Sequence, residues 1–263
     1  QQAGNAADII LQNGKILTVD ANFSIAQAVA IRGRQFAAVG SNAEVLKLAG
    51  PNTLVIDLKG KTVIPGLIDT HVHFLRWQGP LFLAQGVTTI RDVGNDLAWI
   101  LARRGEWELN PWPRILCLGP ILDGPSPCHA LVSRRCPDAD AAVAAVRETA
   151  AAGVDGLKLY VGLPTEWLPA MVRAGHAAGR KVSMHCAGSG VLAAGRAGID
   201  EFFHLDGILT DAWPDHPPGW LELWGSPEFA GTRARQREVA DAIRALGLTA
   251  TPIRKDGHHP ILY

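Results

Sequence analysis

Apolar residues near the N-terminus come in short runs broken by turn residues. Ile9-Ile10-Leu11 runs into Asn13-Gly14 and then Ile16-Leu17-Thr18-Val19, a pattern that predicts a β-hairpin. Ala28-Val29-Ala30-Ile31 leads through Arg32-Gly33-Arg34 to Phe36-Ala37-Ala38-Val39, a second hairpin, and Leu54-Val55-Ile56-Asp57 adds a strand. Residues 1–64 therefore read as a small β-sandwich region, too small to supply a full core by itself. After Pro65 the rhythm changes to strands alternating with helices, which argues for a parallel α/β architecture. The strand candidates are Val63–Asp69, Val87–Arg91, Ile115–Leu118, Gly156–Tyr160, Val182–His185, Glu201–His204 and Leu248–Ile253. A helix opens at Pro137-Asp138, carries Val143 and Val146 on one face and stops at Gly153; another runs from Pro164 to Gly179. Trp213–Gly231, with three Trp and four Pro, reads as an irregular loop or lid, and residues 254–263 as an irregular tail.

Composition narrows the class. Of 263 residues 48% are apolar and 19% charged, so a sizeable core is available and wholesale disorder is excluded. Twenty-five basic residues balance 25 acidic ones, which gives no basic surface for nucleic acid. No apolar run reaches the roughly 18 residues of a membrane span. Four cysteines form no Cys-x-x-Cys pair. Cys128 and Cys136 are close enough for a local disulfide in an oxidising compartment, whereas Cys117 and Cys186 sit in apolar segments and read as buried thiols. The chain begins Gln1-Gln2-Ala3, which fits removal of a secretory signal peptide and a periplasmic or secreted location; removal of a tag, with a cytoplasmic location, is the alternative.

The sharpest chemical feature is Pro65-Gly66-Leu67-Ile68-Asp69-Thr70-His71-Val72-His73. On a strand, positions i and i+2 face the same way, so His71 and His73 present two imidazoles at a strand's C-terminal end, where α/β barrels keep their active sites. A bare His-x-His is more often two surface histidines after a turn. The apolar strand and the Pro-Gly turn before it shift the balance to a divalent-metal site, with zinc the best match. Lys158, His185 and His204 each lie at or near the end of another strand candidate. Lysine inside the apolar run Gly156-Leu157-Lys158-Leu159-Tyr160 is costly to bury charged. It either reaches bulk water at the edge or carries a neutral amine that captures carbon dioxide as a carbamate. Alone, each histidine would read as a satisfied core residue; together they read as ligands. Tyr160 shares the face of Lys158, and His129 lies in the loop after the third strand; both are candidate substrate contacts. His176 reads as a surface helix residue. His216, in the Trp-Pro loop, and His258 and His259, in the tail, carry no role.

This set resembles the amidohydrolase superfamily of metal-dependent hydrolases, over nearly the whole chain from the Asp8 hairpins to Pro252. Gly86-Val87-Thr88-Thr89-Ile90-Arg91-Asp92, Leu122-Asp123-Gly124-Pro125 and Leu157-Lys158-Leu159-Tyr160 look like the branch of imidazolonepropionase-like and prolidase- or dipeptidase-like members. The resemblance implies an N-terminal β-region before a TIM-like (β/α)8 barrel over residues 65–253. It also implies one or two divalent ions held by His71, His73, N-carboxylated Lys158, His185 and His204. The implied activity is cleavage of amide-type C–N bonds in a dipeptide, N-acyl amino acid or cyclic amide by metal-activated water. One departure stands out. The family's catalytic aspartate at the end of strand eight has no match here: Asp256 has the wrong context, and Asp206 reads as a loop or capping residue. The barrel therefore reads as incomplete at its C-terminus. Two further readings follow, a truncated member that binds metal or ligand with little turnover, and a chain completed by another chain. A homo-oligomer acting on a small molecule is expected.

Overall fold

The computed structural model describes residues 6–204, 206–215 and 226–245. It divides into two compact units at Gly66/Leu67.

The first unit holds two small sheets. In one, β1 (Ile9–Gln12) pairs antiparallel with β4 (Ala28–Arg32) and parallel with β6 (Leu54–Asp57), and β5 (Gln35–Gly40) flanks β4. In the other, β2 (Lys15–Leu17) lies between β3 (Ile25–Ala26) and β7 (Thr62–Val63). The expected β1–β2 hairpin is therefore absent. A type I′ turn needs positive φ at both central residues; Asn13 has φ 56°, but Gly14 is not left-handed. The chain instead passes from one sheet to the other, tied by the Gly60 N–H to Asn13 O bond (2.7 Å) and by Asn42 Oδ1 on Asn13 N–H (2.9 Å). The β4–β5 hairpin does form, turning at left-handed Gly33. Helix α1 (Asn42–Val45) carries a full capping box between Ser41 and Glu44. It drops Val45 onto Ala7, Ile10, Ala28 and Ala30.

Among the described residues of the second unit every strand pair is parallel, as expected of strands joined by crossovers. Strands β8 (Leu67–Val72), β9 (Val87–Asp92) and β10 (Arg114–Cys117) make one sheet. Strands β11 (Ile121–Asp123), β12 (Ser133–Arg135), β13 (Leu157–Leu159), β14 (Val182–His185) and β15 (Glu201–Phe203) make a second, in the order β12-β11-β13-β14-β15. No ladder joins the two sheets among the described residues, and no closed barrel is formed by them. Three elements differ from expectation. The run Val63–Asp69 is split by Pro65-Gly66 into β7 and β8, one in each unit. The third strand candidate, Ile115–Leu118, forms as β10, but a further strand, β11, follows where a loop at residues 122–125 is expected, set off from β10 by left-handed Gly119 (φ 73°) and by Pro120, which lacks an N–H. β10 pairs back to β9, and β11 pairs forward to β13. Finally, the stretch expected to be irregular ends in a helix, Pro227–Gly231, capped by the Ser226 hydroxyl on Phe229 N–H (3.1 Å). The seventh strand candidate, the tail, Asp256, His216, His258 and His259 lie outside the described residues.

Helices α2 (Gly79–Ala84), α3 (Leu97–Arg104), α4 (Ala139–Ala151), α5 (Leu168–Ala177), α6 (Val191–Arg196) and α7 (Asp206–Ala212) alternate with the strands, followed by Pro227–Gly231 and Arg233–Ala245. Asp138 caps α4 through Ala141 N–H (2.8 Å). The buried stripe of α4 is Ala142, Ala145, Val146, Thr149 and Ala150, and Val143 is only half-buried against the core. In α5, Gly175 is the point of closest approach: a Cβ there would stand 2.5 Å from Val182 Cγ2. Fully buried Leu168 and Met171 beside it contribute about 1.5–3 kcal/mol each. The large core spans Leu122 to Ile243; a smaller one gathers Val72, Phe74, Ile90, Ile100, Trp112, Ile115 and Cys117.

Candidate functional site

The C-terminal ends of β8, β13, β14 and β15 bring the predicted residues into one chain of rings. His71, inside β8, stands 5.9 Å (centroid to centroid) from His73, 4.7 Å from His204 and 4.8 Å from Phe203. His185, the last residue of β14, stands 4.5 Å from His204 and 5.0 Å from Tyr160. Tyr160 in turn reaches His129, whose Nε2 lies 2.9 Å from the phenol oxygen. Beneath them Lys158 is 1% exposed, its Nζ 3.7 Å from the Phe203 ring centroid.

Local backbone features aim these groups. The β8–β9 ladder is irregular between Asp69 and Val72, and the His71 N–H turns to Asp69 Oδ1 (3.1 Å). Buried Asp92 ends β9 and accepts from Phe74 N–H (2.7 Å), Gly94 N–H (3.2 Å) and Asn95 Nδ2 (2.7 Å), which fixes the turns on both sides of His73. His73 Nδ1 lies 2.8 Å from Gly94 O; a carbonyl only accepts, so Nδ1 carries a hydrogen, and in the neutral ring Nε2 is the nitrogen with the lone pair. A Cβ on Gly94 would sit 2.8 Å from His73 Cε1, so this approach needs glycine. His204 adopts the left-handed region (φ 65°), a strain typical of sites rather than of frameworks. Asp123, also buried, accepts from Gly124, Cys128 and Gly162 N–H (each 2.9 Å), joining the His129 loop to the turn after Tyr160.

A polar layer lies under the rings. Register puts Lys158 beside Ser183 and Ser183 beside Glu201. Glu201 accepts two hydrogen bonds from the Arg91 guanidinium (2.7 and 2.8 Å) and one from Ser183 Oγ (2.9 Å). Arg91 also donates to Thr70 O (2.8 Å) and covers the Phe203 ring at 4.9 Å.

The electrostatics favour neutral nitrogen donors. Burial, reinforced by Lys158 and His204, lowers His71 to about 4; burial, reinforced by His185, also lowers His204. Burial and the nearby Arg91 charge bring Lys158 down to about 7, against an opposing pull from Glu201. Burial pushes Tyr160 up to about 12, so its phenol keeps its proton. Among the described residues no group of three or more His, Cys, Asp or Glu already closes on a metal-sized point. The rings instead lean on one another at tilts of 51° and 56°. The donor chemistry still fits a borderline cation: neutral imidazoles, a free Nε2 on His73, and a buried His185 Nδ1 with no hydrogen-bond partner.

Sequence reasoning missed four contributors. Asp206 is buried, and its Oδ2 lies 2.5 Å from His185 Nε2, a closer role than loop or cap. Phe203, Arg91 and Glu201 were visible only as strand residues; the period-two spacing of Glu201 and Phe203 on one face was the available signal. Cys128 and Cys136 are free thiols, not a disulfide. His176 sits on the outer surface with Asp200 (2.8 Å). No helix among the described residues is long and apolar enough to cross a membrane.

Parallel βα units with histidines at successive strand ends are the pattern the comparisons share: the chain is similar to curated and solved proteins named as amidohydrolases and related hydrolases. Its relatives include an N-substituted formamide deformylase of Arthrobacter pascens, 47% identical over 66 residues (25% of this chain, 12% of the relative). An imidazolonepropionase of Alkaliphilus metalliredigens is 55% identical over 49 residues (18% of this chain, 11% of the relative). The crystal structure of a putative prolidase from Bifidobacterium longum matches with a TM-score of 0.64 at 20% identity, covering 91% of this chain and 71% of that one, which shows the TIM-barrel-type fold. No protein-family model matches the chain. The chain spans less than a quarter of the length of the curated relatives it matches.

Proposed function

We propose that the chain is a metal-dependent hydrolase of amide-type C–N bonds, with dipeptides, N-acyl amino acids and cyclic amides as its substrate class. The observation that carries this reading is the convergence of His71, His73, His185 and His204 over buried Lys158. Relatives named a formamide deformylase and an imidazolonepropionase support it. His71, His73, His185, His204 and Lys158 would hold one or two divalent ions, zinc first by donor type. When bound, such an ion polarises a carbonyl and makes water more acidic.

The rest falls to the chain. With His71 lowered to about 4, its ring is neutral and its lone pair available throughout the neutral range. Lys158, at about 7, holds a substantial neutral fraction. A neutral amine adds to the carbon of carbon dioxide; the new N–C bond forms, one proton leaves, and an anionic carbamate with two donor oxygens results. The Tyr160 hydroxyl and His129, hydrogen-bonded to each other, offer donors at the side of His185 for a polar substrate group.

Protein purified without chelator is expected to carry about one to two equivalents of divalent metal by elemental analysis, and His71→Ala to lose most of it. Chelation should abolish hydrolysis of a dipeptide and N-acyl amino acid panel, and added zinc should restore it. Metal retained by a His71→Ala/His73→Ala variant would overturn the ligand set. A second reading, metal binding with little turnover, is favoured by Asp206 and Glu201, since both carboxylates beside the rings are already engaged in hydrogen bonds. Stoichiometric metal without turnover on the panel would select it.

A further inference from the structure

We propose that Asp206 is the positioning residue of His185: it holds the ring with its hydrogen on Nε2, so that Nδ1 is the lone pair offered to a divalent cation. The inference rests on the metal reading above, and three observations carry it. Asp206 is 3% exposed, and its Oδ2 lies 2.5 Å from His185 Nε2. A carboxylate oxygen accepts, so Nε2 is the donor and Nδ1 the acceptor. His185 Nδ1 is buried and has no hydrogen-bond partner. A buried polar atom without a partner is costly and points to a missing one.

The surroundings keep the carboxylate in place. Its other oxygen, Oδ1, accepts from Gly207 N–H (3.1 Å). Gly207 itself lies so close to Cys186 that a Cβ would stand 2.9 Å from Cys186 O, which pins the start of α7 against the end of β14. The ring cannot turn over without exchanging a charge-assisted hydrogen bond for an unpaired nitrogen. Tyr160 and His204 flank it at 5.0 and 4.5 Å, narrowing its rotation further. A carboxylate behind an imidazole raises the basicity of the ligating nitrogen and fixes its tautomer, and loss of such a partner weakens metal binding by about 10–100-fold. His73 has the complementary arrangement, its Nδ1–H on Gly94 O and its Nε2 free, so the two histidines would ligate through opposite nitrogens.

The test uses the full chain with ring-15N histidine, stripped of metal. His185, assigned by comparison with His185→Gln, is expected to show the Nε2–H tautomer by NMR. Asp206→Asn, which keeps a carbonyl acceptor, should retain that tautomer and most of the affinity for Zn2+. Asp206→Leu should mix the tautomers and weaken Zn2+ binding by about 10–100-fold, with the fold intact by circular dichroism. An Nδ1–H tautomer in the unmutated chain, or unchanged tautomer and affinity in Asp206→Leu, overturns the proposal. If Asp206→Leu does not fold, the unmutated chain and Asp206→Asn decide the matter. If the unmutated chain takes up no Zn2+, the metal reading fails; the tautomer alone then decides the role of Asp206, Nε2–H supporting it and Nδ1–H overturning it.

Discussion

The four thiols sample four environments and can report on the site. Burial pushes Cys117 and Cys186 up to about 12, and Cys136 is buried and raised as well. Cys128 is exposed, three residues beyond the end of Leu122-Asp123-Gly124-Pro125 and next to His129. A maleimide at neutral pH is expected to modify Cys128 first and the other three only on unfolding. Rapid native labelling of Cys186 would contradict the packing described around Asp206 and Gly207. At this scale the sequence was readable where a residue announces itself by local context. His71 and His73 follow a Pro-Gly turn and an apolar run, and Lys158 stands alone between leucines. Asp206 was not readable, because its meaning depends on His185, 21 positions away, across a strand pairing that no local pattern encodes.

Between elements, the pair that matters most is Arg91 on β9 with Glu201 on β15, 110 positions apart. Burial pushes the Glu201 carboxyl up, but the Arg91 hydrogen bonds and charge overcome it and hold the group below its ordinary 4.5. A depressed carboxyl stabilises the fold fully above the unfolded pKa, and the contribution disappears as pH falls through the folded one. Glu201→Gln is expected to lose about 1–3 kcal/mol near pH 7, less than a fully buried pair because both side chains keep some solvent contact. It should also flatten the acid limb of a stability–pH curve below about pH 4.5; urea midpoints at pH 7 and pH 3.5 measure both effects. Helices and parallel strands were legible because period and capping act locally: Asp138 and Gly179 mark ends that the structure keeps. The absence of a β1–β2 hairpin and the presence of β11 after Gly119-Pro120 were not. A turn dipeptide constrains only its own dihedrals, and whether two strands pair is decided by what else competes for their edges, here β4 and β6 for β1.

Across the larger unit, the break at Gly119-Pro120 separates β8–β10 from β11–β15, and the two cores follow the same division. The ring chain crosses this break: His71 and His73 belong to the first group, Lys158, His185 and His204 to the second. Arg91–Glu201 is a side-chain tie across it, and Phe203 packs with Val93 and Leu118. Such a seam invites two foldons that open separately, each with its own protection against amide exchange. In metal-free protein, Leu67–Cys117 is expected to exchange faster than Ile121–Phe203, as hydrogen–deuterium exchange with mass spectrometry would reveal; uniform protection would argue for one cooperative body. A cation gripped from both banks would bind only the joined state and so act as a rivet, raising the slower-opening population by mass action. Zn2+ should then slow exchange in both halves together, although its ligands occupy only their rims.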